Sequence, residues 1–194
     1  SDSNTSARNN TAVGYQVGYS NSTGADESAV GLRALYSNPT GYANDAFGLN
    51  SLNSHSTGVA NVAFGAYSLD ASTTGDHNAG VGHQALSANT TANNNTAVGY
   101  QAGYSNTTGS ENAAFGMLAL SDATTASNNA AFGFNALGDD TTGANNVAVG
   151  KDALRFNTTA SNNTAVGYQA GYSNTTGTGM VAIGRLAGYN STAS

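Results

Sequence analysis

The chain has 194 residues, a net charge of −6 and only five Lys or Arg. So few cations leave no basic patch to follow a phosphate backbone, which argues against a nucleic-acid partner. Cysteine is absent and no apolar run is long enough to cross a bilayer, so disulfides, thiolate metal sites and membrane insertion are not expected of this segment.

Eleven glycines recur every seventeen residues without insertion or deletion: Gly14, Gly31, Gly48, Gly65, Gly82, Gly99, Gly116, Gly133, Gly150, Gly167 and Gly184. Loops drift in length, so a constant period means that each unit is one structural rung stacked on the next. Within a rung, in chain order, Asn stands four positions before the glycine, with Glu27 and Met180 as the exceptions. Ala stands two before, with Gly80 as the exception, and Val, Phe or Ile stands immediately before. Three and four positions after the glycine come a small residue, Ala in most rungs, and then Leu or Gly, followed by an Asn-Thr-Thr-Gly-like block.

These blocks would break any helix once per unit, and no unit has room for two helices. Glycine does not fall at every third position and there is one proline, which rules out a collagen helix. Disordered polar linkers do not hold Val, Phe or Ile at one phase through eleven units. The remaining solution is all-β: a parallel β-solenoid, or β-roll, of about eleven 17-residue coils, with residues 1–194 forming a single tandem-repeat segment. Rungs about 4.8 Å apart give a rod on the order of 50 Å long.

The strand is expected over Asn-Thr-Ala-Val-Gly. Alternation then puts Val or Phe on one face and Ala and Gly on the other. We expect the Val/Phe face to fill the coil and the small face to meet a close neighbour, either the opposite wall of a thin coil or a second chain. The anchor glycine is also a candidate for positive φ. A second glycine column, ten residues later, accepts Ala92, Ala126 and Ala160 and so does not require it. Where Leu four after the anchor becomes Gly18, Gly103, Gly171 or Gly188, a Tyr follows, and an aromatic leaning over the gap would restore packing density. The Asn column is open to two readings, a ladder of stacked amides or a turn preference. Pro39, in a column of Thr and Ser, marks a corner or an unpaired edge.

No catalytic constellation is present, and no enzyme activity, metal or cofactor is expected. His55, His77 and His83 occupy three different columns. Asp76 and His77 are adjacent on extended chain and so point apart. Asp139 and Asp140 could touch a cation, but calcium needs six to eight oxygens. The Thr column Thr23, Thr40, Thr57, Thr74, Thr91, Thr108, Thr125, Thr142, Thr159 and Thr176 is unbroken, with a second mostly Thr column beside it. Its leading reading is structural, with hydroxyls bonding along a corner. Glycan attachment comes second, at the sequons Asn21, Asn89, Asn94, Asn106, Asn157, Asn162 and Asn174. An ice-binding Thr face comes third.

The motifs Asn-Asn-Val-Ala-Val-Gly at 145–150 and Met-Val-Ala-Ile-Gly at 180–184 resemble the head repeats of trimeric autotransporter adhesins. They are also similar to repeats in phage tail fibres. The resemblance covers nearly the whole chain and implies a trimeric, left-handed parallel β-roll on an extracellular, cell or virion surface. It implies attachment, with a glycan or host-surface receptor as partner. The seventeen-residue period is longer than that of the typical head repeat, and the residue three before the anchor is often Thr, Ser or Asp.

Each coil is short of apolar burial on its own, and Asn4, Thr5, Ser6, Asn9 and Asn10 already fit the repeat, which also stops mid-rung at Ser194. Neither end carries a cap. A segment of a longer repeat protein is therefore expected, or a subunit that self-associates laterally, as a homotrimer, and end to end. The main functional expectation is a structural or adhesive surface fibre. The alternatives are an ice-binding solenoid and a glycan-coated extracellular filament.

Overall fold

The computed structural model describes residues 8–191; Asn4, Thr5 and Ser6, which fit the repeat, lie outside them. Each rung contributes one three-residue strand, ended by the anchor glycine. The strands are β1 (Thr11–Val13), β2 (Ser28–Val30), β3 (Asp45–Phe47), β4 (Val62–Phe64), β5 (Ala79–Val81), β6 (Thr96–Val98), β7 (Ala113–Phe115), β8 (Ala130–Phe132), β9 (Val147–Val149), β10 (Thr164–Val166) and β11 (Val181–Ile183). They form one parallel sheet in sequence order. The register is constant at seventeen residues, Ala12 opposite Ala29 at one end and Ala165 opposite Ala182 at the other. The fold is a parallel β-solenoid, and no helix occurs among the described residues.

The two strand faces are the reverse of the expectation. Ala46, Ala63, Ala97, Ala131, Ala148 and Ala165 are wholly buried inside the coil. The Val/Phe/Ile column points out, with Phe64 58% and Phe132 40% exposed. The physical reason is the width of the coil. Seventeen residues enclose a narrow interior, and the Leu column four after the anchor already supplies its bulk: Leu52, Leu69, Leu137 and Leu154 have no exposed surface. Only a methyl group fits opposite them. The one Gly in the alanine column, Gly80, follows from the same crowding, because the Ser68 hydroxyl lies there and donates to the Gly80 carbonyl at 2.8 Å.

Each rung turns through four positive-φ positions. All eleven anchor glycines have φ between 121° and 144°, a region open to glycine alone. A Cβ on Gly116 would sit 2.6 Å from the Gly133 carbonyl oxygen in the next rung, so close approach and conformation both demand glycine. The second glycine column has no positive φ, and its alanines Ala92, Ala126 and Ala160 are buried without strain.

Leucine itself takes up the left-handed conformation, at φ 49° in Leu35 and 47° in Leu52. Where glycine replaces it, φ is conserved: Gly103 and Gly171 lie at 60° and 61°. At Gly103 and Gly171 the space is taken by neighbouring side chains, not by the following tyrosine, whereas beside Gly18 it is open. A Cβ on Gly103 would come 2.9 Å from Leu86 Cδ2, and one on Gly171 3.0 Å from Leu154 Cδ2. The tyrosines stay outside, where Tyr19 stacks on Tyr36 at 5.2 Å and Tyr172 on Tyr189 at 4.9 Å.

The Pro39 segment is a corner, but a paired one. In a regular rung both threonines give their N–H to one carbonyl above, as Thr73 and Thr74 do to Thr90 at 2.9 and 3.3 Å. Pro39 has no N–H to give, and Thr40 alone reaches the Ser56 carbonyl, at 3.3 Å.

Candidate functional site

Alternation along each strand gives the molecule a continuous apolar ladder on its outer surface. Val13, Val30, Phe64, Val81, Phe115, Phe132, Val149, Val166 and Ile183 are all at least 36% exposed. Like residues meet in adjacent rungs: Phe115 and Phe132 stack at 5.0 Å with ring planes 5° apart, and Phe47 lies 5.6 Å from Phe64. The residues just after the anchor add Tyr15, Leu32, Tyr100, Met117, Phe134 and Tyr168, all exposed. In this column Lys151 lies over Phe134 at 5.4 Å and Arg185 over Tyr168 at 5.8 Å. Counting the side chains of both columns, the face spans roughly 13 Å along the strand direction and about 48 Å along the stack, an area on the order of 600 Å². That is the upper end of what a monomer ordinarily leaves in water, and such faces mark interaction sites.

The threonine corner behaves differently. The Thr column from Thr23 to Thr176 is exposed in every rung. The column beside it turns its hydroxyls into the stack: Thr73, Thr90, Thr107, Thr124 and Thr141 donate to the carbonyl of the same position one rung on, at 2.8–3.0 Å. One threonine of each pair is thus structural and one faces solvent.

Two buried polar columns run through the interior. In the first, four before the anchor, each Asn Oδ1 accepts the backbone N–H of its equivalent one rung on, as Asn95 does from Asn112 at 2.9 Å. Its Nδ2 reaches a carbonyl in the second glycine column, as Asn95 reaches Gly109 at 2.8 Å. The second column, seven after the anchor, sends another amide to that same carbonyl, as Asn106 does to Gly109 at 2.9 Å. The amides do link the rungs, and they do so mainly through backbone groups.

Of the sequon asparagines, Asn21, Asn89, Asn106, Asn157 and Asn174 belong to this second column. They are at most 5% exposed, with their amide nitrogens engaged inside the coil, so their side chains are not presented to solvent. Asn94 and Asn162 lie on the surface.

The remaining candidates are scattered. His55 is buried with Nε2 2.8 Å from the Gly58 carbonyl, and burial lowers its pKa. His77 is exposed at φ 57°. Asp76 accepts the Val59 N–H at 2.8 Å. His83 stacks on Tyr100 at 5.6 Å. Asp139 pairs with Arg155 at 3.2 Å outside, whereas Asp140 points inward. No group of three or more His, Cys, Asp or Glu able to hold a metal ion occurs among the described residues. A cavity of about 80 Å³ lies in the first rungs, lined by Val17, Gly18, Asn21, Glu27 and Leu35 among others, well below the few hundred Å³ of a typical small-molecule site.

Compared with protein-family models, with characterised proteins and with solved structures, the chain has no match in any of the three. The outer apolar ladder and the buried columns therefore have to be read on their own chemistry.

Proposed function

We propose that the chain is the rod of an extracellular surface fibre, with no catalytic role, and that it assembles by burying its Val/Phe ladder against further copies of itself. The exposed ladder carries this reading: eleven rungs present Val, Phe or Ile at one outward position. A face of about 600 Å² approaches the roughly 800 Å² per partner of a stable interface. It is periodic, so equivalent copies present equivalent surfaces. The resemblance to adhesin and tail-fibre repeats favours three copies around a common axis and a cell or virion surface as the setting. Attachment to a glycan or host-surface receptor would then belong to the fibre as a whole. Of the two neighbours expected for the small face, the opposite wall of a thin coil is the one found, because those alanines lie inside the coil, so association is assigned to the other face.

The test is sedimentation velocity on the chain and on a Phe115→Asp, Phe132→Asp variant. The parent is expected as a discrete oligomer. The variant is expected as a monomer that keeps its β circular dichroism, since both rings lie outside the coil. A parent that sediments as a stable monomer at tens of micromolar would overturn the proposal.

The unbroken outward Thr column favours ice binding as a second reading. It is weakened by the inward turn of the neighbouring hydroxyls, which leaves a surface one threonine wide.

A further inference from the structure

Where both buried polar columns hold an amide, the carbonyl of the second glycine column takes two side-chain donors, one from each; Gly75 and Ala126, beside Ser72 and Ala123, take one. Ala160 receives Asn146 and Asn157 at 2.9 and 3.0 Å, and Gly177 receives Asn163 and Asn174, both at 2.9 Å. Asn174 shows the full arrangement: its Oδ1 accepts the Gly177 N–H at 3.0 Å while its Nδ2 donates to the Gly177 carbonyl. Asp140 occupies this position in its own rung. Its Oδ1 accepts the Gly143 N–H at 3.0 Å, as Asn174 does, and also accepts from the Asn157 amide at 3.1 Å. Its Oδ2 therefore stands where the amide nitrogen stands elsewhere. That oxygen is buried without a partner, and the Gly143 carbonyl has only the Asn129 amide, at 2.8 Å.

We propose that Asp140 is held protonated in the folded rung, its Oδ2 hydroxyl giving the Gly143 carbonyl the hydrogen bond that asparagine gives elsewhere, so that rising pH unlatches the solenoid at this rung. An ionised Oδ2 would face a carbonyl oxygen in a site with no exposed surface, which costs far more than the missing bond. No cation among the described residues pairs with it. The equivalent position in the preceding rung is Ala123 and in the next Asn157. Of the charged groups nearest in sequence, Arg155 pairs with Asp139 at 3.2 Å and with Asp152 at 3.7 Å, and Lys151 lies over the Phe134 ring. Burial pushes the Asp140 carboxyl up to about 7, against the Gly143 N–H and the Asn157 amide, which lower it.

The sign follows. The folded state holds the proton more tightly than the unfolded chain, where the carboxyl titrates near 3.8. The stabilisation is complete below that value and is lost as pH rises to about 7, at up to about tenfold in the folding equilibrium per pH unit. The experiment compares thermal unfolding of the full chain with that of Asp140→Asn across this range; the difference cancels other titrating groups such as Glu27 and His55. The midpoints are expected to lie close together near pH 4 and to separate in favour of the variant toward pH 7, with no further separation above. Parallel curves across the range would overturn the proposal. Should the variant fail to fold, carbon NMR of the Asp140 carboxyl in the parent decides: a protonated signal at pH 6 supports the latch, and an ionised one at pH 5 refutes it.

Discussion

At the scale of the residue, the anchor glycine and the leucine four positions later differ in kind. Both sit at positive φ, but leucine occupies the left-handed helical region, which an L-residue enters at a cost of about 1–2 kcal/mol. Burial of its side chain, worth roughly 1.5–3 kcal/mol, offsets that. The anchor near 133° in Gly116 lies where side chains are excluded, with a carbonyl 2.6 Å from any Cβ. Gly116→Ala is therefore expected to destabilise by roughly 2–5 kcal/mol, combining backbone strain and overpacking, as read from the urea midpoint. An alanine variant as stable as the parent would mean that the Gly133 carbonyl can move aside. The glycine requirement was legible from its invariance within the chain. The leucine conformation was not, because leucine has no preference for it; only the stacking of rungs on both sides imposes it.

At the scale of the element, the corner shows how one repeated dipeptide does two jobs. Adjacent threonines on an extended corner point in opposite directions, so one hydroxyl joins the ladder and the other meets solvent. Thr90→Val removes the 3.0 Å bond to the Thr107 carbonyl and is expected to cost about 0.5–1.5 kcal/mol. Thr91→Val, equal in shape but on the exposed column, is expected to change stability by no more than about 0.5 kcal/mol. Thermal unfolding of the two variants side by side checks this; equal effects would mean that the inner hydroxyl bond contributes nothing. The strand presents the opposite lesson. Thr-Ala-Val alternates in either direction, and its pattern does not say which face is inside. Hydrophobicity alone favoured valine and phenylalanine for the interior; interior volume decided for alanine.

At the scale of the whole molecule, eleven identical choices of face add up to a rod with one apolar side and one hydroxyl-lined corner. The narrow coil excludes its largest apolar side chains, so they remain available for contact between chains. The same geometry weighs against ice recognition, which needs an extended two-dimensional array of hydroxyls and methyls. Purified chain is expected to show no thermal hysteresis and to leave ice crystals unshaped when examined by nanolitre osmometry. Faceted crystals at micromolar protein would instead make the Thr corner the functional surface.

The seventeen-residue period by itself determined the parallel solenoid, its rung count and its approximate length, because a constant spacing of anchors admits only a stack in register. It also showed an unbroken threonine column from Thr23 to Thr176 and an asparagine column interrupted only at Glu27 and Met180. Tertiary structure alone decided which strand face is buried, that Leu35 and its equivalents turn through positive φ, and that Asp140 and the five inner sequon asparagines share a column hidden from water. These depend on the cross-section of the closed coil, which is set by how its walls pack against one another. A pattern read along one dimension carries the order of residues within a rung, but not the space that the rung encloses.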